Sequence, residues 1–98
     1  MKPEPLSGEA VTRELAGLHG WSREGEAIVK TFERGGFDGS IAFVNAIAEA
    51  ANAADHHPDL AIAWNRVTVT LSSHDAGGIT GRDVRLARRI DAISSASA

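Results

Sequence analysis

A long helical repeat that stops just short of a proline is the feature that most constrains this fold. Its apolar members recur at alternating steps of four and three residues, namely Phe37, Ile41, Val44, Ala48 and Ala51. That spacing predicts one buried face of a helix over residues 38–54, with Asp38 or Ser40 as its N-cap. Pro58 disfavours helical geometry at the residue before it, so the chain should become extended from His57 onward.

Strand patterns flank this helix. Residues 67–71 alternate apolar and polar side chains, which is typical of a strand with one buried face. A shorter extended segment over residues 60–64 precedes it, and residues 65–66 are predicted to form the turn between them. Residues 26–33, which follow a predicted turn at residues 22–25, are rich in β-prone side chains and predict another strand.

Two further helices complete the pattern. A helix capped by Ser7 is predicted to end at Gly20, and a capping box at residues 80–83 opens a last helix. Their apolar stripes are Val11, Leu15 and Leu18 in the first, and Leu86, Ile90 and Ile93 in the last. Residues 94–98 are small and polar, and are predicted to fray.

These elements follow the order α-β-β-α-β-β-α and predict a single α+β domain over residues 1–98. Short connections between strands favour an antiparallel sheet with the helices packed on one face. A domain this small can leave the other sheet face or a sheet edge uncovered. Self-association into a dimer is therefore expected.

The composition excludes several classes of function. The chain has 98 residues, a net charge of −3 and no cysteine, which rules out disulfides, thiolate metal sites and a cysteine nucleophile. The charge gives no reason to expect nucleic acid or a membrane as a partner, and no apolar run reaches the roughly 20 residues of a spanning helix. No signal peptide is recognised either, so a cytoplasmic protein is expected.

Two loops, separated by one hairpin-like segment, hold three of the four histidines: His56, His57 and His74. Imidazole changes charge near neutral pH, so such a group suits general acid–base catalysis or metal binding. The simpler interpretation of the adjacent pair is protonated histidines at a helix C-terminus. A zinc site with Asp55, Asp59 or Asp75 as a carboxylate ligand is the alternative, but the spacing matches no H-E-x-x-H motif, which favours acid–base chemistry. Adjacent residues on an extended chain point to opposite faces, so His56 and His57 are expected to have different roles.

The two tryptophans have two interpretations each, and an arginine row has one. Trp21 and Trp64 either fill the core or form a flat wall against which a planar heterocycle stacks. An i, i+3, i+7 row lies on one face of the last helix and is interpreted first as solvated: Arg82, Arg85 and Arg89.

The spacing of the residues singled out above resembles the signature of the pterin-4a-carbinolamine dehydratase family. Five residues separate His56-His57-Pro58 from Trp64, nine separate Trp64 from His74, and eight separate His74 from Asp83. The resemblance covers residues 15–91 and includes Gly20-Trp21, the long middle helix and residues 73–80.

This resemblance implies a four-stranded antiparallel sheet with helices on one side, assembled as a homodimer or homotetramer. The implied activity is the dehydration of 4a-hydroxytetrahydropterins to quinonoid dihydropterins, which supports tetrahydropterin recycling without a metal or organic cofactor. The catalytic residues implied are His56, His57 and His74. Substrate contacts are implied for Trp21, Asn52, Pro58, Ser73, Asp75, Arg82 and Asp83.

The sequence departs from the family pattern at Asn52, four residues before His56, where the family usually carries a charged residue. An amide can orient an imidazole but cannot stabilise an imidazolium as a carboxylate does, so a reduced rate or an acid-shifted pH optimum is expected. Glu49, one turn earlier, could partly substitute. The alternative function is a non-catalytic pterin-binding or protein-interaction module on the same fold, similar to the transcriptional cofactor role of some animal members.

Overall fold

A computed structural model describes residues 4–96, which form three helices and a four-stranded sheet in the predicted order. The elements are α1 (Gly8–Ala16), β1 (Ser22–Glu24), β2 (Ala27–Glu33), α2 (Phe37–Ala54), β3 (Asp59–Ala63), β4 (Arg66–Leu71), a 3₁₀ turn (His74–Ala76) and α3 (Gly81–Ala96). No helix in this part of the chain is long and apolar enough to cross a membrane.

The sheet is antiparallel throughout and has the spatial order β1-β2-β4-β3. Val67, Val69 and Leu71 of β4 are fully buried and form the centre of the core with apolar residues of α2 and α3. The opposite face is polar, since the Thr31 and Thr68 hydroxyls of neighbouring strands lie 2.9 Å apart there. The α+β class and the antiparallel four-stranded sheet are confirmed.

Lys30 occupies a core-facing position of β2 between Ile28 and Phe32, which are both buried. Its Nζ lies 4.7 Å from the centre of the Phe32 ring and 2.9 Å from Asp91 Oδ1. The aliphatic stem of a lysine can cover apolar surface while its charge remains at the edge. A charged residue therefore fits the buried side of this strand without breaking its pattern.

The predicted buried face of α2 is mostly wrong. Phe37 is 53% and Ile41 38% exposed, whereas the helix turns another row of residues into the core: Ser40, Phe43, Ile47 and Ala51. Both rows have helical spacing, so periodicity alone could not choose between them. Of the predicted row, Ala51 is buried and Val44 packs partly against the core.

Several predicted boundaries also shift. Residues 22–24 are the short strand β1 rather than a turn, and α1 ends at Ala16, although Ser7 does cap it through its hydroxyl. Helix α3 continues through Ala96 where fraying was predicted; residues 97–98 of that predicted tail lie outside the described residues.

The ends of α2 and of the β3–β4 hairpin differ from prediction in detail. Gly36, rather than Asp38 or Ser40, is the N-cap of α2, and the Ser40 hydroxyl instead donates to the carbonyl of Trp64 at 2.6 Å. The hairpin turns at residues 64–65, one position earlier than predicted. Trp64 takes a positive φ of 53° there and is 69% exposed, so it neither fills the core nor forms a wall of a pocket.

Candidate active site

His56 is the buried member of the adjacent histidine pair and faces a buried carboxylate. Its Nε2 lies 2.6 Å from Asp83 Oδ1, and Asp83 is fully buried. The preceding residue, Asp55, caps α2 in the left-handed conformation with a φ of 50°. This cap turns the chain inward, and the His56 amide donates to Ala51 O at 3.1 Å.

Asp83 is held by two further donors from the other side. Its Oδ2 accepts from the Ser73 hydroxyl at 2.8 Å and from the Thr80 amide at 2.9 Å. The second of these bonds is the carboxylate half of the predicted capping box at the start of α3. In the other half, the Thr80 hydroxyl accepts from the amide of Arg82 rather than from that of Asp83. The Asp83 side chain therefore begins the helix and positions the His56 ring.

The hydrogen bonds around Asp83 fix the direction in which each hydroxyl donates. Thr80 Oγ1 lies 2.8 Å from Ser73 Oγ and accepts from the Arg82 amide at 3.2 Å. Ser73 gives its single hydrogen to Asp83, so the Thr80 hydroxyl donates to Ser73. An ionised Asp83 accepts in every bond. With the carboxylate in that form, His56 Nε2 is a donor, and Nδ1 is the acceptor of the neutral ring.

His57 points away from this buried network. Its ring is exposed, and its Nε2 lies 3.0 Å from Asn52 Oδ1 on the last turns of α2. The two adjacent histidines therefore have different partners, as the extended chain predicted. Asn52 does orient an imidazole, and the imidazole that it orients is that of His57.

The three predicted catalytic histidines line one hollow of about 370 Å³, called here the histidine hollow. His74 reaches it from the 3₁₀ turn that follows β4, and His56 and His57 reach it from the end of α2. The remaining lining residues are Asp55, Ser72, Asp75 and Arg82. Arg82 and Asp75 form an ion pair at 2.6 Å on its rim.

Comparisons with known proteins agree with this geometry. Residues 4–93 match the family model described as pterin 4 alpha carbinolamine dehydratase. The chain belongs to this family. A relative from Nocardia farcinica, provisionally named pterin-4-alpha-carbinolamine dehydratase, is 48% identical over 94 residues, which cover 96% of this chain and 99% of the relative. A second relative with that name, from Thermosynechococcus vestitus, is 51% identical over 87 residues, covering 89% and 92%.

The fold of this dehydratase family member is also seen in a solved structure. A protein from Brucella melitensis, described as a transcriptional coactivator/pterin dehydratase, superposes with a TM-score of 0.89 at 34% identity. The match covers 93% of this chain and 99% of that one.

The substrate contacts expected of a pterin-4a-carbinolamine dehydratase fall into four groups. Asp75 and Arg82 line the histidine hollow, whereas Ser73 and Asp83 lie buried behind His56. Asn52 acts on His57. The structure does not bring Trp21 to the hollow, because its indole packs edge-on against Phe32 and donates to Asp91. Half-buried Pro58 is likewise outside the lining, and substrate contacts by both stay predictions.

Sequence reasoning missed the roles of Thr80 and Ser72 at this dehydratase site, and it considered Asp55 only as an alternative zinc ligand. Thr80 was recognised only as a helix cap, although its hydroxyl also completes the Asp83 network. Asp55 and Ser72 line the hollow because a left-handed helix end and the end of β4 place them there. Within residues 4–96, no group of three or more histidine, aspartate or glutamate side chains is arranged to hold a metal ion.

Proposed function

We propose that this chain dehydrates 4a-hydroxytetrahydropterins to quinonoid dihydropterins by histidine general acid–base catalysis. One observation carries the proposal: three imidazoles line a single hollow, and a fully buried carboxylate holds one of them. The volume of about 370 Å³ falls within the usual range for small-molecule sites, roughly 300–1,000 Å³. Family membership supplies the pterin substrate.

The reaction needs one proton to be donated and one to be removed. A protonated histidine donates to the 4a-oxygen, the C4a–O bond breaks, and water leaves. A neutral histidine accepts the proton that the pterin loses from its ring nitrogen, so protons and electrons balance. Each such proton transfer supplies about 10²- to 10⁴-fold in rate.

His56 suits the role of the base in this scheme. Asp83 accepts from its Nε2, which leaves Nδ1 to take the proton, and the carboxylate stabilises the imidazolium that results. The general acid is then one of the two exposed rings, His57 or His74, which can be reprotonated from solvent. The pH–rate profiles of the single variants distinguish these two.

The test is the decay of freshly generated 4a-hydroxytetrahydropterin in the presence of wild type, His56→Ala, His57→Ala and His74→Ala. His56→Ala and the variant of the general acid are expected to lose about 10²-fold or more in rate. His19→Ala is the matched control, because His19 is exposed in the loop after α1 and lines neither the histidine hollow nor a neighbouring one. Equal rates in all four variants would show that the histidines are not catalytic.

A non-catalytic interaction module is the second candidate function. The Brucella melitensis protein is described as a coactivator as well as a dehydratase, and this chain has a large apolar surface that could bind a protein. That surface, the β3 edge patch, comprises Phe37, Ile41, Leu60, Ile62 and Trp64, each at least 37% exposed. A folded protein that binds pterin without accelerating its dehydration would favour this candidate.

The β3 edge patch also supports a homo-oligomer, and we propose that a second copy of the chain covers it. Strand β3 is at the edge of the sheet, and all five of its residues are exposed. Leu60 and Ile62 pair in register with buried Val69 and Val67, so their side chains lie on the core face of the sheet. Both are 37% exposed, so this part of the core face is not fully covered by the rest of the chain. An open apolar strand edge is suited to pairing with the same edge of another copy.

Sedimentation measures this assembly directly. Wild type is expected to sediment as a dimer, or as a tetramer if Phe37 and Ile41 of α2 form an additional contact. Ile62→Lys should release monomers, whereas Thr31→Lys, on the polar sheet face of β2, should leave the assembly intact. A monomeric wild type at micromolar concentration would contradict the proposal.

A further inference from the structure

A second hollow adjoins the histidine hollow and shares two of its lining residues, His56 and Arg82. It has a volume of about 250 Å³ and lies between the second half of α2 and the start of α3. Its other lining residues are the apolar Ala50, Ala54 and Leu86 and the cationic Arg85 and Arg89. We call it the arginine hollow. Arg85 and Arg89 take part in neither the acid–base steps nor the oligomer surface described above.

Two of the three arginines of this hollow, Arg85 and Arg89, have less compensating charge than a neighbour on the same helix. Arg88 pairs with Glu14 of α1 at 3.0 Å. Across residues 4–96, by contrast, neither Arg85 nor Arg89 forms an ion pair. The two carboxylates of α3 are already engaged, Asp83 by His56 and Asp91 by Lys30.

Arg82 adds an unsatisfied donor to this surplus of positive charge. One of its terminal nitrogens bonds Asp75, but its buried Nε has no acceptor within the described part of the chain. A buried donor without a partner is costly, about 1–3 kcal/mol. Such a group calls for an acceptor from outside the chain, which is either water or a bound anion.

The position of these arginines on α3 is also unfavourable for the helix itself. The helix begins at Gly81, so Arg82 and Arg85 lie in its first two turns. Cations near a helix N-terminus oppose the helix dipole, whereas anions are stabilised there. Residues that oppose the helix dipole without a gain in stability are expected at functional sites.

We propose that the arginine hollow binds a phosphate ester on the side chain of the pterin substrate while the ring occupies the histidine hollow. The inference rests on the function proposed above and narrows its substrate class to phosphorylated 4a-hydroxytetrahydropterins. Guanidinium groups bind phosphate in a bidentate way. Arg82, Arg85 and Arg89 follow one face of α3 over about 10 Å, so successive arginines can contact different phosphate oxygens.

The apolar floor of this hollow strengthens the proposal. Leu86 is 3% exposed and forms its floor with Ala50 and Ala54. Hydrogen bonds between charged groups gain strength where apolar surroundings lower the local dielectric constant. A volume of about 250 Å³ holds several water molecules at roughly 30 Å³ each, and a phosphate group would displace them.

The test compares kcat/KM for a 4a-hydroxytetrahydropterin with a phosphorylated side chain and for its unphosphorylated counterpart. Wild type is expected to prefer the phosphorylated substrate by about tenfold or more, since charge-assisted hydrogen bonds of this kind each contribute that much. Arg85→Gln/Arg89→Gln should lower this ratio towards one. Arg88→Gln, which removes one positive charge from the same helix outside the hollow, should keep it.

A direct titration with inorganic phosphate tests binding to the arginine hollow independently of catalysis. Inorganic phosphate added to the wild-type protein should shift the amide NMR signals of residues 81–86 and those of Ala50 and Ala54. The double variant should not respond, and Arg88→Gln should respond as wild type does. Any one of three results would overturn the proposal. These are the absence of a phosphate response in wild type, a kcat/KM ratio near one in wild type, and a ratio in Arg88→Gln that falls as far as in the double variant. A phosphate response in a protein that dehydrates neither substrate would overturn the enzymatic function and the substrate assignment together.

Discussion

The histidine hollow has a buried region, which contains the ring of His56, and an open region, which contains the rings of His57 and His74. His56 is 9% exposed and bonded to a carboxylate with no exposure at all. His57 and His74 are exposed; His57 has a single amide partner, and His74 has no side-chain hydrogen bond among those of residues 4–96. The buried region fixes one imidazole in place and in tautomer, whereas the open region leaves two imidazoles in contact with solvent.

This difference matters for acid–base chemistry. A base that must meet one ring nitrogen of the substrate gains from a fixed position and a fixed tautomer. An acid that must be reprotonated in each cycle gains from contact with water. Under the proposed mechanism the contrast between the two regions corresponds to a division of tasks between base and acid. Variants can be chosen to weaken one region at a time.

The largest effect is expected from Asp83→Asn, which breaks the buried region. Asparagine keeps the shape but replaces one acceptor by an NH₂ group, so at least one of the donors from His56, Ser73 and Thr80 loses its partner. The rate of dehydration should fall by about 10²-fold or more, and the free energy of unfolding by about 1–3 kcal/mol. Nitrogen NMR of the His56 ring should show that the Nε2–H tautomer is no longer dominant.

Asp91→Asn is the control for that variant. It changes the other carboxylate of α3, which bonds Lys30 and Trp21 at the far end from the histidines. It should cost stability with no change in rate or in the His56 tautomer. A similar loss of rate in both variants would mean that Asp83 acts only through the stability of α3.

The buried region was the easier one to predict from sequence. Thr80 and Asp83 lie at the spacing of a capping box, and the carboxylate half of this local pattern held in the folded chain. The alternation along β4 was equally reliable, because a period of two leaves a single choice of buried face. What the sequence could not give is the partner that Asp83 finds 27 positions earlier in the chain, His56.

The open region and the helix faces were harder to predict, for physical reasons. Helix α2 carries apolar residues on more than one face, so only the docked sheet decides which row is buried. Trp21 does fill the core, which was one of its two interpretations, and its indole also bonds Asp91; Trp64 instead occupies an exposed hairpin turn. Arg85 and Arg89 of the arginine row are exposed, as the solvated interpretation predicted, but no sequence pattern shows that α2 forms a wall opposite the row.

A smaller effect is expected from Asn52→Glu, which strengthens the open region. A carboxylate beside His57 favours its protonated form, so the alkaline limb of the pH–rate profile should move up by about half to one pH unit if His57 is the acid. Asn45→Glu adds the same charge to an exposed site two turns earlier on α2 and should leave the profile unchanged. An unshifted profile in Asn52→Glu would assign the acid to His74 instead.

The smallest effect is expected at Asp55, the residue at which the chain passes from α2 to the two differently held histidines. Its φ of 50° is strained for a residue with a Cβ, so Asp55→Gly should raise the free energy of unfolding in urea by up to about 1 kcal/mol. Asp55→Ala removes the same carboxylate but keeps the Cβ, and it should lower stability instead. If both variants dehydrate pterin as wild type does, Asp55 serves only to turn His56 inward. A common loss of rate would instead add its carboxylate, which lines the histidine hollow, to the open region of the site.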